Sequence, residues 1–252
     1  MMLPIPETFV QTQIELNGAV GHAWVERLPA IVDACARRWD LTLEPSSAPL
    51  SYNYVVPARR ADGTAVIVKA CAPAGEFAAQ AAALRIYDGH GSVRLLELDR
   101  DDEVMLLERC EPGTPLLAVE DEEKATSIAA ATMRQLWRPI PLDLLPDHPF
   151  PSVADWARGL ERLRARFDGG TGPFPTALVA QAERLFTELI ASMDEPVVLT
   201  ATSTMAMCWP PSANRGWLST RRAWSVSRPM RRACCCAIRC RGCSMRHIPV
   251  AC

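Results

Sequence analysis

Ala61-Asp62-Gly63-Thr64-Ala65-Val66-Ile67-Val68-Lys69-Ala70 is the stretch that decides the fold. Asp-Gly is a tight-turn signal that joins antiparallel strands, and here it separates two β-prone runs, Leu50 to Val56 and Ala65 to Ala70. A hairpin follows, with Lys69 near the end of an otherwise apolar strand. Next, Glu76 to Tyr87 is Ala-rich and helix-forming, and Asp88-Gly89-His90-Gly91 stops it with glycines that tolerate positive φ. Val93 to Leu98 and Glu103 to Arg109 form a second strand pair around the charged turn Asp99 to Asp102, and Pro112-Gly113 ends the run. The order is strand, strand, helix, strand, strand.

Upstream, Ala23, Trp24, Leu28, Ile31, Val32 and Cys35 recur at helical spacing, so Ile14 to Arg38 is expected to hold an amphipathic helix starting near Asn17. Downstream, Leu117 to Leu136, Ser152 to Phe167 and Pro175 to Met193 are helical in period, with Pro139 to Pro151 a proline-rich connection. The fold class is α+β: a small antiparallel-sheet lobe over 1–113, then the start of a helical lobe over 114–199.

The chain has 252 residues, 49% of them hydrophobic and 22% charged, enough for a sizeable core in one or two domains. Met1 to Val10 is not a basic start followed by an apolar run, and no stretch reaches the roughly 18 apolar residues that span a bilayer. A cytoplasmic protein without a membrane partner is expected. The net charge of -2 conceals an asymmetry: up to Leu199 there are 18 Lys and Arg against 29 acids, whereas 200–252 carries nine arginines and no acid. Seven of the ten cysteines lie in that tail. Folded domains rarely change composition so sharply.

Val66-Ile67-Val68-Lys69 has the form of the third-strand Val-Ala-Ile-Lys element of kinases. Three longer strings sharpen this likeness: Ser51-Tyr52-Asn53-Tyr54-Val55 through Lys69, Leu84-Arg85 through Arg94-Leu95-Leu96, and Met105-Leu106-Leu107-Glu108-Arg109 through Pro112-Gly113-Thr114. Taken together they resemble the aminoglycoside/hydroxyurea antibiotic resistance kinases, in their streptomycin-phosphorylating branch. The resemblance implies a protein-kinase-like fold, ATP and magnesium as cofactors, a small antibiotic as acceptor and no nucleic-acid partner. It makes Lys69 the contact to the α and β phosphates, the alternative being a solvated strand lysine. Its acidic partner is Glu76 or, where the family often has glutamate, the position of Gln80; Glu76 could equally be a charge favoured at a helix start. Leu107 to Cys110, with Glu108 and Cys110 as cofactor-binding candidates, takes the hinge position beside adenine, flanked by Met105. Ser51 to Tyr54 takes the place of the phosphate-covering loop but lacks its glycine pattern.

Such kinases continue after a Val-Val-Leu strand with His-Gly-Asp-Leu-His-x-Gly-Asn and, some twenty residues on, Ile-Asp-Pro-Lys-Gly; these supply the acceptor-orienting aspartate and the magnesium ligands. Pro196-Val197-Val198-Leu199 is present, but Thr200-Ala201-Thr202-Ser203-Thr204-Met205-Ala206-Met207-Cys208 follows. Regrouping permitted codons for these nine residues one base earlier spells His-Gly-Asp-Leu-His-His-Gly-Asn-Val. The same shift of Gly216 to Ala223 permits Trp-Leu-Ala-Ile-Asp-Pro-Lys-Gly. One nucleotide lost near the Leu199 codon accounts for both motifs and for the Arg/Cys-rich tail, which is then not expected to fold natively. In the competing readings Cys236, Cys240 and Cys243 have the spacing that holds an iron-sulfur cluster, or Cys240, Cys243 and His247 supply three zinc ligands, or the arginines bind nucleic acid, but the tail lacks the periodicity of a supporting fold. No catalytic or metal-binding residue is assigned in this chain, and phosphotransfer by it is not expected. A non-catalytic, pseudokinase-like nucleotide-binding protein is the alternative.

Overall fold

The computed structural model describes residues 5–45, 50, 52–144, 148–193 and 197–200, and the short strands at 208–209, 217–218 and 223–226. The described residues fall into two compact units, one made of those within 1–151 and 198–225, the other of those within 152–197 together with Val226. Among them, no helix is long and apolar enough to cross a membrane.

In the first unit, helix α1 (Glu7–Arg38) precedes strands β1 (Leu41–Leu43), β2 (Tyr54–Arg60) and β3 (Ala65–Ala70). Helix α2 (Phe77–Tyr87) and strands β4 (Leu95–Asp99) and β5 (Val104–Glu108) follow. The five strands form one antiparallel sheet in the order β1-β2-β3-β5-β4. The hairpin stands where Asp62-Gly63 placed it. Arg59 pairs with Ala65, the Gly63 amide donates to the Arg60 carbonyl at 2.9 Å, and the Asp62 carboxylate accepts from the Thr64 amide at 2.8 Å. Its first strand begins at Tyr54 rather than Leu50, and the edge strand β1 adds a member that three residues were too short to announce.

Alternation sorts the strand side chains between two helices. Val66, Val68 and Ala70 of β3, with Val104 and Leu106 of β5, pack in one cluster with Trp24, Leu28, Ile31 and Val32 of α1. The opposite face gathers Met105, Leu107 and Cys71 with Phe77, Ala81 and Leu84 of α2. Strand β4 serves both: an irregularity between Leu95 and Glu97 turns Leu96 to the α1 cluster while Leu95 and Leu98 join α2.

Helix α1 starts at Glu7, not near Asn17, and breaks at Gly18 (φ 58°). The earlier segment folds against the later one. Phe9 lies 6.1 Å from the Trp24 ring and 6.0 Å from Tyr54, and a Cβ on Gly21 would stand 2.3 Å from the Gln13 carbonyl oxygen, so this close approach needs glycine. At the other end Arg38 pairs with the buried Asp99 carboxylate, which also accepts from the Asp101 and Asp102 amides.

After a 3-10 turn (Leu116–Ala118), helix α3 (Glu122–Leu136) is capped by Asp121 and buries Ala125, Ala129, Met133 and Leu136. Strand β6 (Arg138–Pro139) and the predicted Val-Val-Leu strand, β7 (Val197–Thr200), share a three-stranded sheet with β10 (Ala223–Val226) in the order β10-β7-β6. Strands β8 (Cys208–Trp209) and β9 (Trp217–Leu218) pair with each other. The expectation that the tail does not fold natively lies, apart from these segments, outside the described residues. In the second unit, α4 (Val153–Arg166) and α5 (Thr176–Ala191) stand where the helical periods put them. A capping box of Ser152 and Asp155 opens α4, and Arg164 binds Glu183 of α5 through two nitrogens at 2.8 and 2.9 Å.

Candidate functional site

Strand periodicity puts Lys69 on the α2 face of the sheet, between Ile67 and Cys71. Its side chain is only 7% exposed, a setting in which an ammonium needs hydrogen-bond acceptors. Helix α2 supplies one. Phe77, Ala81 and Leu84 turn its apolar stripe to the sheet, and Gln80 on that stripe is 1% exposed. Lys69 Nζ donates to Gln80 Oε1 at 2.7 Å. One turn earlier Glu76, at the helix N-cap, accepts from Gln80 Nε2 at 3.4 Å. The two residues the sequence offered as alternatives are therefore both engaged, with Gln80 next to the amine and Glu76 behind it. Burial pushes the neighbouring Cys71 thiol up to about 11, against the pull of Lys69.

The hinge candidates lie farther along the same ladder. Lys69 pairs with Met105 and Val66 with Glu108, a separation of three residues, or about 10 Å of strand. Glu108 closes a ring with Arg94: its amide donates to the Arg94 carbonyl at 3.0 Å and its carboxylate accepts from the Arg94 amide at 3.4 Å. Cys110 is half-buried, its thiol pushed up to about 12 by burial and by Glu108. Met105 is fully buried in the α2 cluster.

Two features escaped the sequence reading. Glu44, beyond β1, accepts from Arg109 Nη1 at 2.5 Å and Arg59 Nε at 2.7 Å, which fastens the segment after β5 to the start of the sheet. The Arg109 hydrogen bond is the main cause holding the Glu44 carboxyl below its usual range. Nothing in the spacing of these charges marks them as partners. Gln13, fully buried, donates to the Tyr52 carbonyl at 3.1 Å, while Asn53 accepts from the Ala72 amide at 3.0 Å. The segment proposed to cover phosphates is thus tied at Tyr52 and Asn53; Ser51 lies outside the described residues. A helix read from Asn17 onward could not have included Gln13.

Among the described residues no three His, Cys, Asp or Glu side chains gather as a metal site. Cys236, Cys240, Cys243 and His247 lie outside them.

A twisted antiparallel sheet with a lysine-bearing third strand, one helix crossing it and helices following is the arrangement of protein-kinase-like small-molecule phosphotransferases. A choline/ethanolamine kinase family protein from Mesorhizobium loti shares this fold, with a TM-score of 0.53 at 13% identity over 77% of this chain and 66% of that one. The family profile of the aminoglycoside/hydroxyurea antibiotic resistance kinases matches residues 38–220, and the chain belongs to that family. The match runs past Leu199, although neither missing motif occurs there. Streptomycin 6-kinase of Streptomyces glaucescens is 36% identical over 135 residues, 54% of this chain and 44% of its own length. Hydroxyurea phosphotransferase of Kitasatospora aureofaciens is 36% identical over 137 residues, 54% of this chain and 40% of its own length. The chain spans less than half the length of these relatives.

Proposed function

We propose that this chain carries the nucleotide-contacting part of an ATP-dependent antibiotic phosphotransferase and does not itself transfer phosphate. The observation that supports nucleotide contact is Lys69, a nearly buried amine held on a central strand by Gln80 at 2.7 Å. A cation fixed on a rigid element suits a phosphate. The hinge segment Glu108 to Cys110 lies about 10 Å along the ladder, a reach comparable to that from a nucleoside base to its phosphates. ATP fits these groups. Magnesium has no assigned protein ligands among the described residues. In the intact family the acceptor would be an alcohol group of a small antibiotic such as streptomycin, or hydroxyurea.

The inactivity follows from residue types. Positioning and charge neutralisation supply nearly all of the catalysis in phosphoryl transfer, and 200–252 contains no acidic residue to orient the acceptor hydroxyl or hold a metal. We attribute this to the one-base shift near Leu199. Titrating the full chain with magnesium ATP and assaying streptomycin and hydroxyurea phosphorylation tests the proposal. Measurable nucleotide binding that Lys69→Met removes, with no turnover, is the expected result. Turnover would overturn the inactivity, and absence of binding would overturn the nucleotide role. Tight binding without turnover would favour a pseudokinase-like role, and sequencing the gene across the Leu199 codon tests the shift directly.

A further inference from the structure

We infer that Gln13 is the positioning residue of Tyr52-Asn53, the end of the segment proposed to cover phosphates; this rests on the nucleotide role proposed above. The family profile begins at residue 38, so all of α1 but its last residue lies ahead of the matched region. Protein kinases cover the phosphates with a glycine-rich loop, whereas residues 44–53 hold two prolines and no glycine. Without glycine's access to positive φ, such a stretch takes its place from contacts with other elements. Those contacts are present at its end. Gln13 Nε2 donates to the Tyr52 carbonyl at 3.1 Å, and Asn53 Oδ1 accepts from the Ala72 amide at 3.0 Å. In the β2–β3 ladder Val55 pairs with Lys69, so the tied residues stand two and three positions ahead of the lysine's partner.

The grip is built into packed structure. Gln13 is fully buried, a setting in which an amide is held by hydrogen bonds, and one turn on Asn17 Nδ2 donates to its Oε1 at 3.1 Å. The break at Gly18 lets the earlier part of α1 fold back, and Phe9 comes to 6.0 Å from the Tyr54 ring. From behind, the Gly21 backbone approaches so closely that a Cβ there would stand 2.3 Å from the Gln13 carbonyl oxygen. The consequence is selective. The tied segment lies at the Lys69 end of the ladder, whereas the hinge candidate Glu108 pairs with Val66 at the other. Releasing Gln13 loosens the hold on phosphates and leaves the base contacts alone.

The test compares, on the full chain, the affinities for magnesium ATP and for adenosine, which has no phosphates, and follows amide hydrogen exchange at Tyr52 to Tyr54. Gln13→Met keeps the volume and removes the amide. Affinity for ATP should fall about fivefold, the net effect of one hydrogen bond, with adenosine affinity unchanged and exchange faster. Asn17→Ala, which loses the support behind Gln13, should show the same selective loss in smaller measure, and decides the matter if Gln13→Met proves unstable. Leu16→Ser, on the same segment but 54% exposed, should match the parent in all three readouts. Equal losses for ATP and adenosine would make Gln13 a purely structural residue and overturn the inference, as would parent-like ATP affinity in both Gln13→Met and Asn17→Ala. A parent chain that binds neither ligand overturns the nucleotide role and this inference with it, a failure distinct from the other two.

Discussion

The five-stranded sheet and the α4–α5 pair are built from equally clear periodic sequence, yet they bury it very differently. The sheet is covered on both faces, and Val66, Val68, Ala70, Val104, Met105 and Leu106 have no exposed surface. Helix α4 has no buried residue, and on α5 only Val179 is buried. Trp156, Phe174, Leu178 and Leu185 are 46%, 51%, 57% and 40% exposed. Amphipathic helices need a partner layer for each apolar stripe, and α4 and α5 hold together through each other, a capping box and the Arg164–Glu183 pair. Local pattern makes a helix, and only a second layer makes a core.

The largest effect should come from the covered side. Leu28→Ala, at a position with no exposed surface between α1 and the sheet, should cost about 3 kcal/mol in urea denaturation. Leu178→Ala should cost less than about 0.5 kcal/mol. Equal losses would mean that the α5 face is covered in solution and would break the contrast. Next, Ser152→Ala removes the cap that opens α4 and should cost the second unit about 1 kcal/mol; full recovery with Ser152→Asp would sharpen the reading that caps carry this unit. Leu178→Lys combined with Phe174→Ser should leave melting nearly unchanged while raising the soluble yield and lowering light scattering, because exposed apolar surface invites association. An unchanged scattering signal would argue that this surface is harmless.

The smallest effect concerns pH. Glu183 is held below the ordinary carboxylate value first by the Arg164 hydrogen bond, and Glu44 by that from Arg109. A folded-state value below the unfolded one, about 4.3, gives stability that is complete above the unfolded value and is lost as pH falls through the folded one. Glu183→Gln should therefore flatten the acid side of the stability profile, read as melting temperature against pH. A profile with the same acid slope as the parent would remove the Arg164 pair from the account of what joins α4 to α5.

Much of this architecture is written in local sequence. The Asp62-Gly63 turn, the stop after Tyr87 and the Ser152 cap are local chemistry and stand where their residues put them, although at the stop it is Asp88 that takes the left-handed cap (φ 42°), with Gly89 and Gly91 at positive φ behind it. The helical onset near Asn17 missed Glu7 because Gly18 interrupts the period, and what keeps the earlier segment helical is its packing of Phe9 on Trp24 and Tyr54.

By itself, the sequence determined the order of strands and helices, the family likeness around Lys69 and the absence of acidic residues after Glu195, since all three are read along the chain. Tertiary structure alone decided that Lys69 meets Gln80 with Glu76 behind it, that Glu44 holds Arg59 and Arg109, and that Gln13 reaches the Tyr52 carbonyl. Those partners stand on different elements or one helical turn apart, and which of them meet depends on how helix faces and strands dock, which residue type and spacing do not encode.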